Sequence, residues 1–384
     1  MSKQPIDLKA IFNSEDFQPA PCPYFGKCGG CTYQNIKYDA QLRHKEKQVR
    51  ELFGECSPII PSPEIFHYRN RMDFSFGPNF TVGLKNGWAS VINLDQCLLV
   101  TEKFNQVLNK IRDFAKGNDL ASYLTELPGQ ERGIMRHVVI REGINIPNIV
   151  LNVITSDQDK FPLEKLWDEF KNNISGATWS INLSPADRSI GDIQATFGKD
   201  HLLESLGGLR FKIPVQSFFQ TNPKQAETLL RTAEKFAELK GGETVIDLYS
   251  GTGSFGLLLA SKAKEVIGIE ENEPATKLSI ENAALNGIKN YSALAGRVED
   301  IFPQFNKKCD VVIVDPPRPG IHKRAIKALG DLRPAKIVYV SCNPTTQKTD
   351  VDKLKEFGYK ITACQPLDMF PHTPHVENVI KLEF

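Results

Sequence analysis

From Gln220 onward, predicted strands and helices alternate with short connections between them. Strand patterns cover 244–248, 265–269 and 336–341, a further strand ends at Val314, and helical patterns cover 224–239, 255–263 and 274–286. Gly358 then introduces the last strands. Regular strand–helix alternation with short links indicates a doubly wound, mainly parallel α/β sheet of the Rossmann-like type. No other feature of the 384 residues restricts the fold as strongly.

The first of these strands runs into a glycine turn. Residues 245–255 read Val-Ile-Asp-Leu-Tyr-Ser-Gly-Thr-Gly-Ser-Phe, and Gly251 and Gly253 would let the backbone approach a ligand closely. Glu270 ends the next strand, where its carboxylate could accept hydrogen bonds from both hydroxyls of a ribose. The glycines alone are weak evidence, because Gly251, Gly253 and Gly256 also fit the glycine pattern of a dinucleotide-binding site. Asp247, which precedes the loop, favours an adenosylmethionine site.

A third strand ends in Asp-Pro-Pro-Arg at 315–318. Ligands of open α/β sheets bind outside the carboxyl ends of the strands, so we expect Asp315 to border the same pocket. The two prolines fix the path of the chain as it leaves the strand. Enzymes of this fold that methylate amino groups often carry an aromatic residue where Arg318 stands, so Arg318 argues against an amino-group acceptor.

Cys342 follows the fourth predicted strand in a Ser-Cys-Asn-Pro sequence, at the same rim as Asp315. Carbon 5 of uracil is a poor nucleophile until carbon 6 has been attacked, and a thiolate suits that attack because it adds reversibly. Cysteine is more often a small buried apolar residue, which is our interpretation of Cys56, Cys309 and Cys364. The strand-end position sets Cys342 apart as the candidate nucleophile.

The C5 proton must be removed after methyl transfer, which requires a general base within hydrogen-bond reach. Residues 372–377, His-Thr-Pro-His-Val-Glu, offer candidates. We favour Glu377 because it begins the terminal strand. A solvated glutamate at a strand end would give the same pattern.

Three cysteines cluster near the N-terminus, and a fourth lies further along the chain. Cys22, Cys28 and Cys31 form C-x5-C-x2-C around two consecutive glycines, and Cys97 follows in a Leu-Asp-Gln-Cys sequence. Three clustered thiols with a distant fourth fit either an iron–sulfur cluster or a structural zinc ion. The spacing alone does not decide between them.

The rest of the chain suggests two further regions. A basic helix is predicted at 37–53 and a proline-rich linker at 57–63. Between 66 and 210, strand patterns (82–84, 135–141, 148–154) mix with helical ones (104–114, 163–172). We therefore predict three regions: 1–57 with the cysteine-rich loop and basic helix, 58–210 as a central α+β domain, and 211–384 as the α/β domain.

Composition restricts the functional class. No run of about 18 apolar residues is present, which argues against a membrane span. The polar N-terminus is unlike a secretory signal, and eight cysteines in such a chain indicate reduced thiols, so we expect a cytoplasmic protein. We also expect a monomer. The net charge is only +1, so RNA binding would require local basic surface.

Together these motifs, with Ser-Phe-Phe-Gln-Thr-Asn at 217–222, resemble the uracil-5-methyltransferases of tRNA and 23S ribosomal RNA that carry an N-terminal iron–sulfur motif. The resemblance runs from Cys22 to Phe384. It implies a [4Fe-4S] cluster, a methyl donor site, a nucleophile and a base. The implied residues are Cys22, Cys28, Cys31 and Cys97 for the cluster, Gln220, Tyr249, Ser254, Glu270 and Asp315 for S-adenosylmethionine, and Cys342 and Glu377 for catalysis.

The sequence departs from that family at two points. Ser250 stands where many relatives have a cysteine, which we expect to be harmless. Several relatives begin with a small β-barrel that binds RNA, for which residues before Cys22 leave no room, so the choice of RNA is open. We expect 23S rRNA rather than tRNA.

Two segments mix cations with flat or polar side chains, as suits contact with unpaired RNA: residues 67–71 and 132–137. An ordinary charged strand surface would look the same. Two other functions are compatible with parts of the pattern: a methyltransferase acting on another acceptor, and a non-catalytic RNA-binding protein with a structural metal site. Cys342 argues against the first, since amino-group methylation needs no covalent nucleophile.

Overall fold

The fold is described from a computed structural model, which covers residues 6–87, 90–123, 133–156, 161–305 and 308–384. The helices are α1 (Tyr38–Phe53), α2 (Glu102–Gly117), α3 (Leu163–Phe170), α4 (Pro223–Ala237), α5 (Ser254–Ala260), α6 (Glu273–Leu285), α7 (Val298–Ile301), α8 (Lys323–Leu332) and α9 (Pro344–Glu356). Within these ranges no helix is both long and apolar enough to cross a membrane.

The strands are β1 (Arg71–Gly77), β2 (Thr81–Asn86), β3 (Ser90–Asn93), β4 (Met135–Glu142), β5 (Ile149–Thr155), β6 (Gly176–Ile181), β7 (Asp192–Gly198), β8 (His201–Leu206), β9 (Leu209–Pro214), β10 (Thr244–Leu248), β11 (Glu265–Glu270), β12 (Tyr291–Ala295), β13 (Val311–Val314), β14 (Lys336–Ser341), β15 (Lys360–Leu367) and β16 (Glu377–Glu383). β8 and β9 pair as a two-stranded sheet.

The chain divides into two compact units. The first comprises the residues up to Lys37, Glu64–Glu204 and Ile213–Ser217. The second comprises Tyr38–Pro63, Ser205–Lys212 and Phe218–Phe384. Helix α1 thus belongs to the second unit and the cysteine-rich loop to the first. The three domains anticipated from the sequence stay a prediction.

The first unit is built on a seven-stranded sheet in the order β3-β2-β1-β4-β5-β6-β7. Only the β5–β6 pairing in this sheet is parallel among the described strands. Helices α2 and α3 bury their apolar faces in the core of this unit, through side chains such as Phe104, Ile111 and Leu166. The α+β character predicted for this region is present, although strands such as β1 and β6 were not anticipated.

The second unit is a seven-stranded sheet in the order β12-β11-β10-β13-β14-β16-β15. β10 to β14 are parallel to one another, and β16 runs antiparallel to both β14 and β15. Because β11 lies on one side of β10 and β13 on the other, the strand order reverses between β10 and β13. Such a switch point leaves a crevice at the carboxyl ends of the strands, where ligands of this fold bind.

Candidate active site

The turn after β10 has an unusual backbone. Tyr249 adopts a φ of 62°, Gly251 a φ of 53° and Gly253 a φ of 89°. Glycine takes such left-handed angles freely, whereas for a tyrosine they cost about 1–2 kcal/mol. Ser254 then begins α5. The turn therefore holds Tyr249 in a strained conformation at the switch point, as functional sites often do.

Asp247 is a buried carboxyl directly below this turn. Its Oδ2 accepts a hydrogen bond from the Gly256 N–H at 2.9 Å, and its Oδ1 has no partner among the described residues. A Cβ on Gly256 would lie 2.9 Å from that same Oδ2, so the close approach requires glycine. Burial, together with the nearby carboxylates of Asp315 and Glu270, raises the pKa of Asp247 to about 8.

Glu270 ends β11, and its carboxylate links the turn after β10 to that strand by a hydrogen bond. Its Oε2 accepts from the Gly251 N–H at 3.0 Å, and its Oε1 accepts from the Asn272 N–H at 2.8 Å. A carboxylate has about four acceptor positions, so each oxygen can accept a further hydrogen bond from a ligand.

Asp315 follows β13 on the other side of the switch point. Its main-chain N–H donates to the Leu248 carbonyl at 3.4 Å, which places it beside the end of β10. Burial raises the pKa of its carboxyl to about 7. Asp247, Glu270 and Asp315 thus form an acidic rim along three neighbouring strands.

Cys342 and Glu377 lie at adjoining strand ends. In the antiparallel pairing of β14 with β16, Ser341 is opposite Asn378, so Cys342 and Glu377 are the next residue on each strand. Burial, together with the negative charges of Glu377 and Asp315, raises the pKa of the Cys342 thiol to about 11, although the Arg318 guanidinium opposes this shift. The nucleophile and base predicted from the sequence are neighbours.

Glu377 is almost completely buried, with 4% of its surface exposed. Burial raises the pKa of its carboxyl well above the usual range, and the charge of Asp315 raises it further. The solvated strand-end glutamate considered as an alternative is therefore wrong, because water does not surround this carboxyl.

Sequence reasoning missed a pair of buried amides beneath Cys342 and Glu377. Asn378 Nδ2 donates to Gln347 Oε1 at 2.9 Å. Gln347 Nε2 in turn donates to the carbonyls of Tyr339 at 2.9 Å and Asn378 at 3.2 Å. These bonds join α9 to both strands. One feature of the sequence does indicate that Gln347 is buried. It lies on the same helix face as Val351 and Leu354, where an apolar residue would be expected.

An open cavity of about 320 Å³ adjoins Cys342. This volume is at the lower end of the range of small-molecule sites. Its lining comes from the loops after β13 and β14, the segment before β16 and helix α1. The lining residues are Gln48, Glu51, Leu52, Arg318, Cys342, Asn343, Pro344, Thr345, Pro374, His375 and Val376.

The loops that carry Arg318 and Cys342 are joined by hydrogen bonds. Asn343 Nδ2 and Thr346 Oγ1 donate to the Arg318 carbonyl at 3.1 and 3.0 Å.

Gln220 is partly buried and lies two residues before Asn222, the N-cap of α4. Asn222 donates to Ser62 Oγ and to the Met369 carbonyl, both at 3.1 Å, which fixes the start of this helix.

Comparisons with known proteins show which family the chain belongs to. A sequence model described as tRNA (Uracil-5-)-methyltransferase matches residues 163–383. The tRNA (uracil(54)-C(5))-methyltransferase of Pyrococcus furiosus is 39% identical over 366 residues, which span 94% of this chain and 85% of that protein. The chain belongs to the tRNA (uracil-5-)-methyltransferase family. This membership confirms the family resemblance and the enzyme class predicted from the sequence.

Two further relatives support the membership. A Clostridium tetani member named as an uncharacterized RNA methyltransferase is 38% identical over 383 residues, which span 94% of this chain and 83% of the relative. The crystal structure of the Pyrococcus abyssi tRNA (uracil-54, C5)-methyltransferase, solved with S-adenosyl-L-homocysteine, has a TM-score of 0.81 at 34% identity. The match covers 93% of this chain and 86% of that structure. The Rossmann-like fold is thereby confirmed.

The four predicted cysteine ligands of this uracil-5-methyltransferase surround one cavity in the first unit. Cys22, Cys28, Cys31 and Cys97 all line it. Gln34 Nε2 donates to Cys31 Sγ at 3.1 Å, and the Gly30 N–H donates to Cys28 Sγ at 3.4 Å.

Burial and the neighbouring thiols raise the pKa of Cys31 to about 12 and that of Cys97 to about 11. Among the residues that the structure describes, no three His, Cys, Asp or Glu side chains are arranged to hold a metal ion.

In the two segments considered for RNA contact, several cationic side chains bind carbonyl or carboxylate groups of the protein itself. Arg136 donates to the carbonyls of Asn182 and Ser184 at 2.5 and 2.7 Å, and Arg71 pairs with Asp73 at 2.7 Å. His137 is buried, and its Nε2 lies 3.2 Å from an Asp187 oxygen. These cations stabilise the first unit, so the structure does not support their use as an RNA surface. Arg132, at the start of the second segment, lies outside the described residues.

Proposed function

We propose that this enzyme methylates carbon 5 of a uridine in tRNA, with Cys342 as the covalent nucleophile, Glu377 as the general base and S-adenosylmethionine as the methyl donor. The observation that carries the proposal is the position of Cys342 and Glu377 at adjoining ends of β14 and β16, with Asp315 close to both. A thiol beside a buried carboxyl is the pair of groups that the C5 reaction needs. The proposed cellular location is the cytoplasm.

Cys342 acts first. Its thiolate adds to carbon 6 of the uracil, forming the C6–S bond and moving the electron pair of the C5=C6 bond into an enolate. Carbon 5 is then nucleophilic. The methyl donor, when bound, supplies an electrophilic methyl group to that carbon. Because burial raises the pKa of the thiol to about 11, the Arg318 cation matters for forming the thiolate.

Glu377 completes the reaction. Its carboxylate removes the proton from carbon 5, the C5=C6 bond re-forms, and the C6–S bond breaks to return the Cys342 thiolate. A carboxylate with a raised pKa is a stronger base than an exposed one, which suits abstraction of a carbon-bound proton.

The acidic rim fits a cationic methyl donor. Asp247 and Asp315 both have raised pKa values, and Asp247 Oδ1 has no protein partner within the described residues. A bound cation would lower these pKa values and stabilise the carboxylates. S-adenosylmethionine carries both a sulfonium and an ammonium group. We assign Gln220, Tyr249, Ser254, Glu270 and Asp315 to its binding, with Glu270 at the ribose.

The names of the relatives bear on the choice of RNA. The Pyrococcus furiosus and Pyrococcus abyssi relatives are both named for uracil 54 of tRNA. We therefore favour tRNA, and uridine 54 within it, over the 23S rRNA expected from the sequence. The target base would have to be flipped out of the folded loop to reach Cys342.

The direct test uses unmodified tRNA and 23S rRNA transcripts containing either uridine or 5-fluorouridine. We expect methylated tRNA from the first and, from the second, a covalent complex that survives denaturing gels, since fluorine cannot leave as a proton does. Sequencing of the trapped RNA identifies the uridine. Trapping of 23S rRNA alone would refute the choice of tRNA, and the absence of any adduct would refute the covalent mechanism.

A change of Arg318 to alanine should slow thiolate formation. Loss of this cation raises the pKa of Cys342, so less thiolate is present at neutral pH, and we expect adduct formation to slow about two- to tenfold at pH 7. The deficit should stay nearly constant between pH 6.5 and 9.5, because the pKa of the thiol, about 11, lies above this range and the ratio of thiolate in the two proteins changes only near that pKa. Single-turnover rates at saturating RNA over this range measure it, with the exposed Lys323→Ala as the matched control. A deficit that varies with pH within this range, or the absence of any deficit, would assign Arg318 another role.

We further propose that Cys22, Cys28, Cys31 and Cys97 hold a [4Fe-4S] cluster. All four thiols line one cavity, and two of them accept N–H hydrogen bonds, as cluster ligands do. The resemblance to uracil-5-methyltransferases that carry an N-terminal iron–sulfur motif favours the cluster over a zinc ion. The role of the cluster is structural, because no step of the methylation requires an electron.

Cys28→Ser tests this assignment. We expect the variant to lose iron, sulfide and brown colour, and to melt at a lower temperature, because a removed ligand leaves a cavity lined by unpaired thiols. The matched control is Cys56→Ser, a partly buried cysteine outside the cavity. Full activity of an iron-free Cys28→Ser enzyme would contradict the structural role, and zinc in the purified wild-type protein would contradict the cluster.

A further inference from the structure

Helix α1 holds the segment that leads to the proposed base. This segment, residues 368–376, leaves β15 at Leu367 and enters β16 at Glu377, and these two residues are paired across the strands. Lys45 of α1 reaches it, with its Nζ 2.6 Å from Asp368 Oδ1 and 3.1 Å from the Phe370 carbonyl. Both charged side chains are completely buried.

A second side chain of α1 binds the same segment. Gln41 Oε1 accepts from the main-chain N–H of His372 at 2.9 Å, and Gln41 Nε2 lies 3.2 Å from His372 Nδ1. His372 has a φ of 66°, a left-handed conformation that costs a non-glycine residue about 1–2 kcal/mol. Gln41 therefore stabilises a turn that the backbone alone disfavours, five residues before Glu377.

The Lys45–Asp368 pair is poorly explained by stability alone. Removing two charges from water costs about as much as their attraction returns, and apolar residues of similar volume often serve a fold as well. An ion pair does fix distance and direction more narrowly than apolar packing. Here it fixes the path of a segment that ends at a buried carboxyl, opposite the end of β14.

We propose that Gln41 and Lys45 are positioning residues for Glu377, and that α1 is consequently part of the catalytic apparatus. The inference rests on the role proposed above for Glu377. The same helix contributes Gln48, Glu51 and Leu52 to the cavity at Cys342. Displacement of α1 would thus move both the base and one wall of the cavity.

The steps of the reaction allow a specific test. Attack by Cys342 and methyl transfer precede proton removal, so an enzyme with a misplaced base should form the methylated adduct and then fail to release it. A displacement of about 1 Å can cost about 10²-fold in rate. With ordinary uridine RNA and labelled methyl donor, Gln41→Leu and Lys45→Met should accumulate labelled protein–RNA complex on denaturing gels. Their steady-state turnover should fall at least about tenfold.

Two further variants make the result decisive. Lys45→Met/Asp368→Asn leaves no buried unpaired charge and keeps an acceptor for the Phe370 N–H, which donates to Asp368 Oδ1 at 3.2 Å. It should still accumulate the adduct if Lys45→Met alone does not fold. Lys47→Met, on the exposed face of α1, should behave like the wild type. Thermal melting establishes that each variant is folded.

Folded variants that release methylated RNA at the wild-type rate would overturn the inference. So would variants in which adduct formation and turnover fall in the same proportion, since that result indicates general damage and not a misplaced base. If the wild-type enzyme forms no adduct with 5-fluorouridine RNA, the proposed function fails, and this inference fails with it.

Discussion

Cys342→Ala should abolish methylation of RNA and formation of the covalent complex, while binding of S-adenosylhomocysteine stays unchanged. Without the thiolate, carbon 5 of the uracil never becomes nucleophilic, so the loss should be large, about 10⁴-fold or more. The acidic rim at the ends of β10, β11 and β13 lies on other strands and keeps its hydrogen bonds. Radioactive methyl transfer measures the activity, and calorimetry measures the binding.

Cys309→Ala is the matched control. Cys309 is buried, and burial raises the pKa of its thiol to about 11, as for Cys342, but it precedes β13 at the opposite end of the sheet. Its removal should cost only a small core cavity and leave the rate intact. Methylation by folded Cys342→Ala at more than a trace would contradict the covalent mechanism. Equal losses in both variants would indicate damage to the fold.

Glu377→Gln should trap the enzyme on its RNA. The amide fills the same buried space but accepts no proton, so the thiolate adds, the methyl group is transferred, and elimination stops. Turnover should fall about 10²- to 10⁴-fold, the usual contribution of a general base. Unlike the wild type, the variant should give a stable complex with ordinary uridine. A denaturing gel and the mass of the complex, which includes the new methyl group, measure the effect.

Glu383→Gln provides the comparison at the other end of β16. That carboxylate is partly exposed and lies 3.5 Å from Lys381. It should release methylated RNA normally. Rapid release by Glu377→Gln would show that another group removes the proton. Loss of the adduct itself would place Glu377 before methyl transfer.

Much of the second unit could be predicted because its sequence repeats a simple pattern. The strands at 244–248 and 336–341 have the predicted bounds, and parallel order follows from the helices between them. Asp315 and Cys342 then had to lie at one edge, since every parallel strand ends there. The position of Glu377 beside Cys342 could not be derived from the strand pattern, because it depends on β16 inserting antiparallel between β14 and β15.

The features that could not be predicted from the sequence are hydrogen bonds between residues that lie far apart in the chain. Gln347 and Asn378 are 31 residues apart, and Lys45 and Asp368 are 323 residues apart. A buried amide or lysine looks like a surface residue in the sequence until its partner is known. The cations Arg71 and Arg136 misled in the same way, since a pattern of charge does not reveal whether carbonyls or carboxylates inside the protein bind it.

The left-handed backbone of Tyr249 implies a compromise between robustness and activity. Glycine would adopt this angle without the steric cost that tyrosine bears, so a chain selected only for resistance to heat would carry glycine here. Tyr249 thus makes this turn less stable than glycine would, and it is one of the residues proposed to bind the methyl donor. Attempts to engineer a more thermostable enzyme should therefore keep tyrosine at position 249.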